Sequence, residues 1–206
     1  MSTRKTVVFD IGSGASLPTD KEVVQIVRAV AKANTGKHRV ILKPQLFKAQ
    51  PPNKPLDRYL FALLASECDR NGLEAAASVF DETSLEVALG YKISHIKIAC
   101  RPDLYFLVGH VPRQVPVHLS HDFRILDQAL PAKVDVHLSC IPEYPAALED
   151  YDHRFDYGVS DHTVGLDLWN RSRPAVWEKH LVLERSDDNP DSGLFALLPE
   201  DLEGLL

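Results

Sequence analysis

An α/β fold, a compact (β/α)8 TIM barrel with shortened outer helices, is what this sequence predicts, and three observations carry the prediction. Eight short β-rich runs alternate with helical patterns over almost the whole chain. In the later part these runs end roughly every 20 positions, the rhythm of repeated βα units. No glycine-rich phosphate loop is present, and an open doubly wound sheet, which also alternates strands with helices, has no natural place for eight similar units. At 206 residues the chain lies at the short end of the ~200 to 400 residues usual for such barrels, so several outer helices must be short or replaced by loops.

The first run, residues 6–12 (TVVFDIG), precedes a helix over 20–34, where Val23, Ile26, Val27 and Val30 recur at helical spacing before a stop at Gly36. Residues 39–43 (RVILK) form the second strand. A helix over 56–71 follows, with Tyr59, Leu60, Leu63, Leu64 and Cys68 on one apolar stripe and Gly72 at its end. Strand 75–80 leads into a short helix over 82–89, and strand 95–100 into a weaker helical piece around Leu104. The remaining strands are expected at 116–120, 134–140, 156–162 and 175–183. Trimming of outer helices is expected after Arg101 and after Val164, and the Pro-rich piece 50–55 (QPPNKP) reads as a loop. One domain over 1–206 is the expectation.

With 45% hydrophobic and 25% charged residues the chain can bury a sizeable core. Its 23 Lys and Arg against 29 Asp and Glu leave a net charge of −6 with no basic stripe. That argues against non-specific nucleic-acid binding, which rests on neutralising phosphates. The longest apolar stretch, 59–65, is far short of the ~20 residues of a membrane span, and the start MSTRKTVVFD lacks the apolar core of a signal peptide. A cytoplasmic protein with neither nucleic-acid nor membrane partners is expected. Cys68, Cys100 and Cys140, an odd number without CxxC spacing, predict reduced thiols, not a disulfide framework or a cysteine zinc site.

In a barrel of this kind chemistry gathers at the carboxyl ends of the strands. The residues there are unusually polar: Asp10, Lys43 with Gln45, Ser78, Lys97 with Cys100, Ser120, Cys140 with Glu143 and Tyr144, Ser160 with His162, and Glu178 with His180. Residues two apart in a strand share a face, so Ser160 and His162 point together, as do Glu178 and His180. Two neutral imidazoles near a carboxylate make a divalent-metal site; the alternative is that each is an ordinary core or surface histidine. Lys43 and Lys97 end apolar strands, where they form either a cationic pocket for an anionic substrate or side chains that snorkel to solvent. His118, two before Ser120, is an extra ligand on that face or a histidine stacked in the barrel wall. His95, His110, His121, His137 and His153 read as surface or loop residues, and Trp169 and Trp177 as packing between barrel and helices.

Several motifs together give the chain a resemblance to a known family. Residues 157–166 (YGVSDHTVGL) and 177–183 (WEKHLVL) resemble, in order and spacing, the GYSDHT and EKH motifs of the sialic acid synthases. These are barrels that condense phosphoenolpyruvate with an N-acylated hexose to make nonulosonic acids. Residues 67–100 track the family's pattern of a helix, a strand ending STPFD, a helix and a strand ending KIAS. Residues 139–145 (SCIPEYP) resemble its HCVSEYP, and 186–202 its GPDHKASLEPEEL ending. The likeness covers the barrel only, so the small antifreeze-like C-terminal domain of the family is expected to be missing, and a homodimer is open to question.

Carried over residue by residue, the resemblance implies that His162 and His180 bind a divalent cation, manganese or magnesium, which holds the sugar's aldehyde. Lys43, Lys97, Ser120 and Ser160 would bind the carboxylate and phosphate of phosphoenolpyruvate, with Ser78 in place of a threonine and Gln45 matching the family's KxQ strand end. Tyr144, Asp191 and Glu178 would contact the aldose. Asp10 replaces the catalytic glutamate of the family's EIGxNHNG strand, which makes Asp10 and Glu178 the candidate catalytic carboxylates. Cys100 stands where a phosphate-binding serine is expected, and Pro142 where a polar residue is usual. Three functions are therefore carried forward: a metal-dependent synthase using phosphoenolpyruvate and an aldose, a non-catalytic relative that binds ligand or metal, and another metal-dependent aldolase or hydrolase on the same scaffold.

Overall fold

The computed structural model describes residues 4–47, 54–125, 129–151 and 157–206. His153 and the first part of the Pro-rich piece, 50–53, lie outside the described residues. The chain opens with β1 (Thr6–Asp10), α1 (Asp20–Ala33), β2 (Arg39–Lys43), β3 (Gln45–Leu46) and α2 (Arg58–Arg70). It continues through β4 (Glu74–Ala75), β5 (Ala77–Val79), α3 (Glu82–Leu89), β6 (Ile96–Ile98), β7 (Val117–Asp122), β8 (Val136–Cys140), β9 (Gly158–Asp161), α4 (Asp167–Ser172) and β10 (Val176–His180). Every pairing is parallel, and the strand order is β3-β5-β6-β7-β8-β9-β10-β1-β2-β4 in a single curled sheet.

The helices form where local chemistry marks their ends. Thr19 caps α1 by accepting from the Lys21 amide at 3.2 Å, and Val23, Ile26, Val27 and Val30 are its buried stripe. Asp57 caps α2 through the Tyr59 amide at 2.7 Å, and Asp81 and Ser84 form a capping box on α3. A parallel sheet covered by helices buries both faces, which is why the strands read as nearly continuous apolar runs. On the concave face Val8, Ile41 and Ala76 pack together, and two residues further along the same strands stand Asp10, Lys43 and Ser78. The polar layer therefore sits on an apolar plug, at the carboxyl ends of the strands.

The sequence expectation of eight strands needs correction in its segments. Ten ladder segments are present, because Pro44 separates β2 from β3 and Ala76 separates β4 from β5. Proline has no N–H to give a ladder, so the break at Pro44 follows from its chemistry. The strands predicted at 6–12, 95–100 and 175–183 are shorter in the structure, and that at 156–162, whose Asp156 lies outside the described residues, is observed over Gly158–Asp161. The piece around Leu104 is a 3-10 segment, Pro102–His110, and the helix after Val164 spans only six residues. Among the described residues, no helix is long and apolar enough to cross a membrane.

Candidate active site

The strand carboxyl ends surround a cavity of about 440 Å3. Asp10, Gln45, Ser78, Lys97, Ser120, Tyr144, Ser160, His162, Glu178, His180 and Asp191 all line it. Lys43 does not line it: this lysine is only 1% exposed and donates to the Asp10 carboxylate. Period-two alternation thus brings Ser160 together with His162, and Glu178 with His180, as their spacing predicts. The neighbours one residue off, Asp161 and Lys179, face away from the cavity and form their own buried pair at 3.2 Å.

Neither lysine snorkels. Lys97 is 4% exposed and donates to Glu178 Oε1 at 2.6 Å, an oxygen that also accepts from Ser160 Oγ at 3.0 Å. Lys43 lies 3.8 Å from Glu178 Oε2 and is bonded to Asp10, so two ammoniums are matched by two carboxylates in one buried cluster. Burial alone pushes the Glu178 carboxyl up, but the Lys43 and Lys97 ammoniums outweigh it and hold Glu178 below its ordinary value. Glu178 Oε2 and Ser120 Oγ are buried without a hydrogen-bond partner among the described residues, so both are ready for a ligand or a water.

On the other side of the cavity, Gln45 Nε2 donates to Asp10 Oδ1 at 3.1 Å and to Asp191 Oδ1 at 2.9 Å. Asp10 Oδ1 also accepts from the Gly12 amide at 3.0 Å. Gly12 has φ +70°, and a Cβ there would lie 2.8 Å from Asp191 Oδ2, so only glycine lets the strand turn beneath that carboxylate. The environments drive the two acids apart. Burial pushes both up; at Asp10 the Lys43 ammonium, with help from His180, reverses the direction, while Asp191 stays raised.

Asp10, His180 and Asp191 bring one ligand atom each within 4.8 Å of one another, the spacing a cation needs. Among the described residues, His180 Nδ1 is buried without a hydrogen-bond partner, 3.7 Å from Asp191 Oδ1. Two carboxylates and an unbonded imidazole nitrogen fit a divalent ion such as manganese or magnesium. His162 stands outside this trio, its ring centre 5.7 Å from that of His180, with the Tyr144 ring 4.1 Å from its own. Its Nδ1 donates to the Ile141 carbonyl at 2.7 Å, which leaves Nε2 free to accept, the arrangement usual for a ligating histidine. Burial, with His180 beside it, lowers His162 to about 3, so it is neutral at pH 7.

One sequence expectation changes. His95 is not a surface residue: it is 1% exposed and stacks on His118 with ring centres 3.6 Å apart, which also makes His118 a wall histidine. Phe80, Ala99, Arg101 and Pro190 line the cavity without having been singled out. Arg101 lies just past a strand that ends at Ile98, and its charge beside Cys100 was the one available signal. Trp169 and Trp177 pack as expected, with ring centres 5.0 Å apart.

The model of the NeuB family matches residues 53–206, three quarters of the chain and most of these cavity residues. The chain belongs to the NeuB family. Solved structures agree with this placing in the fold. The chain resembles N-acetylneuraminic acid (sialic acid) synthetase from Leptospira borgpetersenii serovar Hardjo-bovis at 18% identity and TM-score 0.76, covering 97% of this chain and 80% of that one. It resembles spore coat polysaccharide biosynthesis protein spsE from Bacillus subtilis at 18% and 0.76, covering 98% and 66%. A spore coat polysaccharide biosynthesis protein E from Chromobacterium violaceum is similar at 20% and 0.75, with 97% and 72% covered. No curated protein matches the chain in sequence.

Proposed function

We propose that this NeuB-family chain condenses phosphoenolpyruvate with the open-chain aldehyde of an aldose, N-acylated or plain, giving a 2-keto sugar acid and phosphate. The observation that carries this reading is the junction, in one cavity, of an ammonium-and-hydroxyl patch with a carboxylate–imidazole patch. Lys97, Ser78, Ser120 and Ser160 make the first, which suits a trianionic substrate; Asp10, His180 and Asp191 make the second. We read the scaffold as a closed eight-stranded barrel, because β2 and β3 are one interrupted strand that pairs with β4 and β5, another.

His180, Asp10 and Asp191, with His162 beside them, would hold a divalent cation, which would polarise the aldehyde carbonyl. Carbon 3 of phosphoenolpyruvate attacks the aldehyde carbon, and the carbonyl oxygen takes up a proton. Water supplies that proton, because Asp191, as a ligand of the cation, would be ionised. Carbon 2 becomes an oxocarbenium centre, which the Glu178 carboxylate stabilises from beside Lys97. Water adds to carbon 2, Asp10 takes its proton at a carboxylate oxygen, and the carbon–oxygen bond to phosphate breaks to leave the ketone. Tyr144 and Gln45 orient the sugar.

A second reading, a non-catalytic relative that binds ligand or metal, is favoured by the ion pairs themselves: Lys43 and Lys97 already have Asp10 and Glu178 as counter-charges. Phosphate release from phosphoenolpyruvate with manganese, across a panel of aldoses, separates the two. Aldose-dependent release that vanishes in His180→Ala is the expected result. Binding of manganese and phosphoenolpyruvate by calorimetry, with no release for any aldose, would overturn the synthase reading in favour of the second.

A further inference from the structure

We propose that Arg101 grips the phosphoryl group of phosphoenolpyruvate, exchanging the Asp103 carboxylate for the substrate; this rests on the proposed function and adds a binding residue to the same site. The need for it comes from the charges already in the cavity. Lys97 is taken up by Glu178 at 2.6 Å, and Lys43, which does not line the cavity, by Asp10. Two buried ammoniums with two buried carboxylates leave no net charge to meet a trianion, and Asp191 adds a negative one. Among the described residues lining the cavity, Arg101 is the one other Lys or Arg. Its partner is the Asp103 carboxylate, 3.3 Å from Nε and 2.6 Å from a terminal nitrogen. Both side chains are more than half exposed, 56% and 61%, so water screens the pair and it is readily given up. Lys97 and Glu178 are each 4% exposed and lack that freedom.

Local chemistry sets Arg101 at this wall. Strand β6 ends at Ile98, the Arg101 amide donates to the Ala99 carbonyl at 2.7 Å, and the Leu104 amide donates to the Arg101 carbonyl at 2.9 Å. Pro102 opens the 3-10 segment and holds the residue before it extended, at φ −140° and ψ 103°. The backbone is thus pinned on both sides, while the guanidinium stays exposed beyond the buried Lys97. Lys97 is the deep cation of this wall and Arg101 the outer one. The phosphoryl group suits the outer position: carbon 3 must face the aldehyde on the Asp10, His180 and Asp191 side, and phosphate must leave by the open mouth once its carbon–oxygen bond breaks. A guanidinium offers two N–H donors in one plane to two phosphate oxygens, and its hold strengthens as charge builds on the departing phosphate. Arg124, beyond β7, is no equivalent: it does not line the cavity, and Asp122 holds it at 2.9 and 2.8 Å and Glu143 at 2.9 Å.

The test is steady-state phosphate release with manganese and the most active aldose of the panel, alongside calorimetry with phosphoenolpyruvate and with inorganic phosphate. In Arg101→Gln the KM for phosphoenolpyruvate and the inhibition constant of inorganic phosphate should both rise about 10- to 100-fold, the effect of losing charge-assisted hydrogen bonds, while the KM for the aldose stays within about twofold. Arg101→Lys keeps the charge, loses the fork and should recover part of this. Asp103→Asn frees the guanidinium and should act in the opposite sense, lowering the KM for phosphoenolpyruvate about two- to fivefold, which no merely structural role would do. The urea midpoint of each variant should match the parent, since both side chains are exposed. An unchanged KM for phosphoenolpyruvate in Arg101→Gln, a rise confined to the aldose, or Asp103→Asn weakening phosphoenolpyruvate as Arg101→Gln does, would overturn the assignment. A parent protein that releases no phosphate with any aldose overturns the synthase reading, and calorimetry then decides Arg101 by itself. A lower phosphoenolpyruvate affinity in Arg101→Gln sustains the assignment; equal affinity, or no binding by the parent, overturns it.

Discussion

Replacing Asp161 should damage this fold far more than replacing its partner Lys179, although the two form one buried pair. Both side chains are fully buried, 3.2 Å apart, on the face of β9 and β10 turned away from the cavity. Asp161 accepts from the Thr163 amide at 2.8 Å, Thr163 Oγ1 at 2.7 Å and Trp177 Nε1 at 2.9 Å, as well as facing the ammonium. Among the described residues Lys179 has one other partner, the Thr163 carbonyl at 2.5 Å. In Asp161→Asn the shape is kept, but Lys179 loses its counter-charge and one amide N–H must face the Thr163 or Trp177 donors. The expected cost is about 3 to 5 kcal/mol, the range for an uncompensated buried charge. Lys179→Met leaves a carboxylate that still has three donors, so its cost should be about 1 to 2 kcal/mol. The double variant no longer buries an unpaired ammonium and should be more stable than Asp161→Asn alone by about 2 kcal/mol. Urea unfolding followed by the fluorescence of the buried Trp169 and Trp177 measures all three; with a slope of ~2 kcal/mol/M, Asp161→Asn should move the midpoint down by about 2 M. A shift in Asp161→Asn below ~0.5 M, or a double variant no better than that single one, would refute the argument.

Three further outcomes follow from the same geometry. His118 is held at about 4 chiefly by burial, against an ordinary 6.5, so the unfolded chain binds more protons between those values and stability falls as the pH drops from about 6.5 to 4. His118→Phe should flatten that slope, by up to about 3 kcal/mol in all, read as urea midpoints at successive pH values. Gly12→Ala should destabilise by at least ~1 kcal/mol and weaken manganese binding, because the added Cβ meets Ser16 Oγ and Asp191 Oδ2 at positive φ; calorimetry and unfolding together check it. His180→Ala should lower manganese affinity by about 100-fold. His162→Ala, removing a residue outside the close trio, should lower it less, and equal losses would place both imidazoles on the ion.

The order of strands and helices was legible in the sequence, because hydrophobic periodicity and end-capping are local and act within a few residues. That is why Val23, Ile26, Val27 and Val30 announce α1, and why Ser160 with His162 and Glu178 with His180 could be assigned to one face before any partner was known. Which residues line the cavity was largely legible for the same reason, since strand ends converge in such a fold, although Lys43 is not part of the lining. What each polar group does there was decided by the tertiary structure. Lys43 and Lys97 are matched by Asp10 and Glu178, and Gln45 bridges Asp10 to an Asp191 that lies 146 residues further along the chain. His95 is buried in a stack with His118. Spacing along the chain tells which face a side chain takes; which charge it meets depends on distances of a few ångströms between segments far apart in sequence, and those exist only once the sheet has curled.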